Sequence, residues 1–347
     1  MTSRFTVLVS FPTPRPTSVN PYTILLAEHI RRAGAKVLYF DWMTALSGDY
    51  DVFHVHWPEN LVGGRTPLRR LVRQGLTLLI LLRLTLTRRA LVRTLHNLEL
   101  PDGLSARQRW ILRLIDRRTD LYIRLSTFTP VPPNKPAVMI PHPHFREWFA
   151  AFERSEPVNG QVGYVGRIRR YKGVETLLAA LAATPELTGR VAGYPSSAEL
   201  QRTVTDLAGV DGRIALAFGF IPDSLLVDVV TSSELVVLPY RLMHNSAAVL
   251  TALSLDRPVL VPRNPTTLAL ATETGAGWVH TFPGELRAEH LREALSALRA
   301  APPAVPPSLD RRSWTRTTRS HIEAYSRAIR IARYARGRVG YPRSAAT

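Results

Sequence analysis

Short apolar runs alternate with longer stretches in which apolar positions recur every three or four residues, from one end of the chain to the other. A period near two, or a brief continuous apolar run, predicts a strand, and a period of 3.6 predicts a helix. In the first half the runs at 5–9, 37–40, 52–55, 90–95, 121–123 and 138–140 read as strands. Stretches 22–33, stopped by Gly34, and 107–118 read as helices. The pattern breaks at 154–160 and then restarts. Strands are predicted at 162–165, 190–192, 214–218, 235–238, 259–261 and 278–279, with helices between them that include 174–183, 224–231 and 247–255. A proline-rich linker at 302–307 leads into a final helix. Strands alternating with helices imply parallel sheets. The expected fold is α/β, with two doubly wound domains, 1–155 and 156–312, facing a cleft. A terminal helix, 313–335, is expected to pack back on the first domain, ahead of a basic tail, 336–347. In such sheets ligands bind beyond the carboxyl ends of the strands, so strand exits and the cleft are where chemistry is expected.

The 347 residues are 45% hydrophobic, enough for two real cores and too apolar for disorder. There is no cysteine, which excludes disulfides, thiolate metal sites and a cysteine nucleophile. The apolar run near the start is too short for a signal peptide, and the longest greasy stretch, 76–86, contains Arg83. A spanning helix needs about 20 apolar residues. A cytoplasmic protein is therefore expected. The formal charge is +18, carried by 42 arginines and only three lysines: Lys36, Lys135 and Lys172. That skew fits a codon-biased background, so a lysine stands out more than an arginine. A basic nucleic-acid-binding protein is an alternative reading of the charge, but no recognition helix, RNA-binding motif or zinc finger is present and no specific nucleic acid is expected.

The strongest local signal is Gly166-Arg167 followed, after four residues, by Lys172-Gly173, between a predicted strand and a predicted helix. Glycines let backbone approach a ligand closely, a helix N-terminus favours phosphate, and Arg167 and Lys172 supply charge to a diphosphate. This segment resembles the diphosphate motif that opens the C-terminal domain of GT-B glycosyltransferases, especially glycosyltransferase family 4. Other segments resemble that family in the same order: the turn at 218–226, the strand at 234–240, the strand at 257–262, and, in the first half, Asp51 to Glu59 and Thr94-Leu-His96-Asn97. The resemblance implies a GT-B fold of two Rossmann-like domains. The implied activity moves a sugar from a nucleotide-diphosphate donor, GDP- or UDP-linked, to a glycan or lipid-linked acceptor, as in exopolysaccharide or glycolipid synthesis. The nucleotide sugar is a co-substrate, with no cofactor and no metal expected. Arg167 and Lys172 would hold the diphosphate, joined by Asn245, Ser246 and Ala247 at a helix start. Gly166, Gly193, Phe220, Ile221, Tyr240 and Thr251 would surround the nucleotide. The two positions of the family's paired glutamates are Met243 and Thr251 here, which leaves open a degenerate protein that binds nucleotide without turnover.

Five of the ten histidines, His56, His96, His142, His144 and His244, fall at predicted strand exits. By resemblance His96 contacts the donor sugar. Retention of anomeric configuration is implied by the family, whereas inversion would need a base, for which Glu59, Asp41 and His56 are candidates. His54 and His56 share a strand face, but Glu59 is the only nearby carboxylate, so a metal is not expected. The proline-rich loop from Phe11 through Asn20 to Tyr22 is suited to shaping an acceptor site. Between Glu59 and Glu99 there are eight arginines and no acid, flanking the apolar 68–86 helix, and ten more arginines follow from Arg311. Arginine beside an apolar face suits a helix lying on an anionic membrane surface, here the inner face of the plasma membrane.

Overall fold

The structure is a computed structural model and describes residues 5–14, 20–97, 100, 103–209 and 212–334. The basic tail at 336–347 and positions 15–19 of the proline-rich loop lie outside the described residues. Two compact units are present, Met1–Pro141 together with Trp314–Thr347, and His142–Ser313.

The sheet of the first unit contains β1 (Thr6–Val9), β2 (Lys36–Tyr39), β3 (Val52–Val55), β4 (Ala90–Leu95), β5 (Leu121–Arg124) and β6 (Ala137–Met139). Its order is β2-β1-β3-β4-β5-β6, parallel throughout. The second sheet contains β7 (Val158–Val165), β8 (Thr188–Gly193), β9 (Ile214–Phe218), β10 (Ser233–Val237), β11 (Val259–Pro262) and β12 (Val279–Phe282). Its order is β12-β11-β10-β7-β8-β9, also parallel. Both are doubly wound, and the direction of winding reverses between β1 and β3 in one sheet and between β7 and β10 in the other. Beyond the carboxyl ends of those two pairs lie the binding positions of such sheets.

The central strands are buried on both faces and read as apolar runs, with all four residues of β3 buried, whereas the edge strands β6, β9 and β12 are largely half-buried. Helix starts are set by short polar side chains that take up free amides: Asn20, Asp41, Thr66, Ser105, Ser197, Ser246 and Asn264 each accept from the first turn of the helix they precede. Helix Pro67–Leu86 buries Ile80 and Leu84 against Phe53, Ile111 and Ile115. Each fully buried aliphatic side chain contributes roughly 2 kcal/mol. Arg83 and Arg89 close the end of this helix: both guanidinium groups lie over the Tyr50 ring, at 5.0 and 4.9 Å, and both donate to the Gly48 carbonyl.

The division between units falls at 141/142 rather than at 155/156. Residues 142–155 belong to the second unit because their side chains and amides are held there. The Phe145 amide donates to Ser254 Oγ, Arg146 pairs with Asp256, and Trp148 Nε1 donates to Asp223. Helix Trp314–Tyr334 belongs to the first unit, where Trp314 stacks on His29 (4.9 Å, 8° between planes) and Tyr325 meets Phe5 edge-on.

Candidate functional site

In the first unit His54 is registered with Val92 across β3 and β4. Side chains alternate along a strand, so His54, His56, Thr94 and His96 fall on one side of the sheet at its carboxyl end. His56 Nδ1 and His96 Nε2 lie 3.0 Å apart, one donating to the other. Trp57 stacks on His96 with centroids 4.6 Å apart and planes 20° apart. His56, Trp57, Glu59, Arg93, His96 and Asp116 line a cavity of about 340 Å³, closed on one side by Pro130–Pro132. Burial, reinforced by neighbouring imidazoles, holds His56 well below the usual histidine pKa and therefore neutral. Glu59 begins the short helix Glu59–Val62; burial raises its carboxyl above the usual range, and Arg93 pulls it partly back. Arg93 itself is ion-paired with Asp116.

Three expectations change here. Tyr22 is 3% exposed and packs edge-on against both His56 and His96, so it stands behind the histidines instead of facing an acceptor. Asn20 is committed to capping helix Pro21–Arg32, its Oδ1 accepting from the Tyr22 amide at 3.1 Å. Asp41 instead caps helix Trp42–Ser47, the Thr44 hydroxyl and amide holding its carboxyl below the usual range, and it does not line the cavity that holds Glu59 and His96. Among the described residues, no three histidine, aspartate or glutamate side chains are grouped as ligands for a metal ion.

In the second unit the chain leaves β7 at Gly166, turns through a basic loop, and enters helix Val174–Ala182 after Gly173. Gly173 is in the left-handed region (φ 66°), and a side chain there would strike the Pro239 carbonyl; Gly193 is likewise closed against the Gly166 carbonyl. These two glycines bring the loops after β7, β8 and β10 together. Lys172 Nζ lies 3.1 Å from Tyr240 Oη and 4.6 Å from the centre of that ring. Burial, with Arg169 and Arg167 adding repulsion, lowers Lys172 to about 8. Tyr240 is buried, and burial raises its phenol. Arg170 pairs with Glu199, whereas Arg167 is exposed and forms no ion pair among the described residues. Tyr240 and Arg241 also line a cavity of about 380 Å³ with Thr176 and Glu285.

Ser246 caps helix Ala247–Ser254, with Asn245 beside it and Ala247 exposed at its first turn. Met243 and Thr251 are buried, and Asn264 Nδ2 donates to the Met243 carbonyl. Met243 is therefore a packing residue. Phe220 is 61% exposed in the turn after β9, and Ile221 is half-buried. Trp57 and Arg93 join the cavity without a functional motif of their own in the sequence. Trp57 directly follows His56, a usable signal, but nothing local distinguishes Arg93 from its neighbouring arginines.

Comparison with known proteins gives a consistent answer. Residues 159–300 match the family described as glycosyl transferases group 1. A GDP-mannose:glycolipid 4-beta-D-mannosyltransferase from Xanthomonas campestris pv. campestris is 38% identical over 329 residues, covering 94% of this chain and 93% of that protein. Among solved structures, the sucrose-phosphate synthase of Thermosynechococcus elongatus has a TM-score of 0.60 at 16% identity, covering 95% of this chain and 98% of that one. The catalytic domain of starch synthase IV from Arabidopsis thaliana, bound to ADP and acarbose, has a TM-score of 0.61 at 10% identity, covering 94% and 99%. These two likenesses speak to the fold.

Proposed function

The chain belongs to the group 1 glycosyltransferases of GT-B fold, and from that premise we propose that it transfers mannose from GDP-mannose to a glycolipid with inversion at the anomeric carbon. The observation that carries this reading is the 38% identity, spread over nearly the whole of both chains, to a protein named as a 4-beta-D-mannosyltransferase. A β-linked product from an α-linked nucleotide sugar requires inversion. The acceptor oxygen forms its bond to the anomeric carbon as the bond to the diphosphate breaks, and the acceptor proton passes to a base. Glu59 supplies that base from the first unit's cavity, and His96 hydrogen-bonds the sugar. On the second unit Lys172 and Arg167 neutralise the departing diphosphate, with the free amides at the start of helix Ala247–Ser254 adding to them. Cationic side chains in that role leave no need for a metal. Phe220, exposed, and Ile221, half-buried, in the turn after β9 would meet the nucleotide base in this reading. Incubating the protein with GDP-mannose, UDP-sugars and a lipid-linked oligosaccharide, and reading the product by NMR, tests the reading. A β-mannosyl product is expected; an α linkage would refute inversion, and turnover with UDP-sugars alone would refute the donor.

The reading includes a membrane partner. Leu68, Val72, Leu79, Leu82 and Leu86 of helix Pro67–Leu86 are each 51–73% exposed and, with Gly75, recur at alternating steps of four and three. They form an outer apolar stripe opposite the buried one. Arg65, Arg69, Arg70, Arg73 and Arg88 are exposed beside it. Arg83, Arg89 and Arg93 are not part of this surface, because Tyr50, backbone carbonyls and Asp116 hold them inward. Among the described residues no helix is long and apolar enough to cross a membrane. A 20-residue helix lying flat presents about 30 Å of contact. Vesicles containing phosphatidylglycerol are expected to sediment with the protein at low ionic strength and release it at high salt, and Leu79→Asp with Leu82→Asp is expected to abolish binding. No binding at low ionic strength would sink this part of the proposal.

A further inference from the structure

His54 is fully buried beneath helix Trp314–Tyr334 and is used by none of the chemistry above. Its Nδ1 lies 2.8 Å from Tyr325 Oη and its Nε2 lies 2.8 Å from Thr94 Oγ1. Both of its nitrogens are thus taken by hydroxyls, one delivered by the far end of the chain and one by β4. Tyr325 is fully buried as well, and Thr94 is 1% exposed but lines the same cavity as Glu59 and His96.

Burial, with His321 and His96 nearby, keeps His54 neutral. A neutral imidazole has one N–H donor and one acceptor nitrogen. A phenol is a stronger donor than an aliphatic alcohol, so Tyr325 donates to Nδ1. Nε2–H must then donate to Thr94 Oγ1. A threonine oxygen that accepts from His54 keeps its own proton for a different partner. The cavity is where that partner can be.

We propose that Tyr325 and His54 are positioning residues that hold the Thr94 hydroxyl as a hydrogen-bond donor to an oxygen of the acceptor sugar in the first unit's cavity. The inference rests on reading that cavity as the acceptor site. It makes the terminal helix a functional part of the site as well as a packing element.

Acceptor and donor kinetics of Thr94→Val, Thr94→Ser, Tyr325→Phe and the Tyr325→Phe/Thr94→Val double variant test it, with Glu59→Gln in the same assay. Thr94→Val is expected to lower kcat/KM for the acceptor about tenfold while leaving the donor KM unchanged, the scale of one lost hydrogen bond. Thr94→Ser is expected to stay within about threefold of the parent. Tyr325→Phe should reproduce the Thr94→Val loss, and the double variant should fall no further, because both changes act through one hydroxyl. Full acceptor kcat/KM in Thr94→Val, or losses that multiply in the double variant, would overturn the proposal. Should Tyr325→Phe fail to fold, the contrast between valine and serine at position 94 still decides. If Glu59→Gln and His96→Ala both retain full transfer, the acceptor-site reading itself fails; if either is impaired and Thr94→Val is not, only the positioning role falls.

Discussion

Lys172→Ala is expected to lower kcat/KM for transfer roughly 10²–10³-fold, the loss that follows removal of one preorganised charge from a developing anion. The magnitude follows from where this lysine stands. Its ammonium is held against Tyr240, in contact with both the hydroxyl and the ring, and no carboxylate pairs with it among the described residues. Burial and the adjacent Arg169 and Arg167 disfavour its charge, lowering it to about 8. A cation kept short of its counter-charge gains most when a diphosphate arrives. The sign of the pH dependence is set by that value. Below about 8 the free protein already carries the charge, and Lys172 adds no pH dependence to GDP affinity. Above it the free lysine is neutral, a bound diphosphate restores its higher pKa, and binding must take up a proton. Affinity therefore falls as pH rises through about 8. Titration calorimetry with GDP between about pH 6.5 and about pH 9.5 reads this directly. Lys172→Arg, charged throughout, should flatten the curve. Transfer within threefold of the parent in Lys172→Ala would remove Lys172 from the diphosphate site.

Glu59→Gln is expected to lower kcat roughly 10²–10⁴-fold with a small change in acceptor KM, as loss of a general base does. The amide keeps the size and hydrogen-bonding reach of the side chain and removes only its basicity. Burial places the Glu59 carboxyl above the usual glutamate range. The carboxylate is the active form, so kcat/KM is lost as pH falls through this raised value, and the acid limb lies higher than an exposed glutamate would put it. The limb should disappear in Glu59→Gln. His96→Ala is the informative contrast. A parent-like rate in Glu59→Gln alongside a collapsed rate in His96→Ala would move the base to the histidine pair.

Each of the twelve strands overlaps an apolar run visible in the chain, because the central residues of a parallel strand are covered on both faces, although β7 opens with the polar Asn159 and Gln161 and β12 carries His280 and Thr281. Helix starts were equally legible at Ser246, where a hydroxyl precedes an apolar helix and caps it. Lys172 stood out by its rarity among 42 arginines. The pairing of strands was not legible: the first sheet runs β2-β1-β3 where the second runs β9-β8-β7-β10, although the two halves read alike. Nor were the fates of individual polar groups. Tyr22 looked like a wall of an acceptor site and is buried behind two histidines. Arg93 looked like its membrane-facing neighbours and is ion-paired within a cavity.

The division has a physical origin. Strand and helix periods are properties of the backbone itself, repeating over a few residues, so the order of side chains was enough to determine the elements, the α/β class and the basic loop after β7. Burial and partnership depend on groups that the chain brings together from afar. Arg93 meets Asp116 across 23 positions, and His54 meets Tyr325 across 271. Whether a histidine is a ligand, a base or a buried link is settled by those distant neighbours, and only the folded chain supplies them.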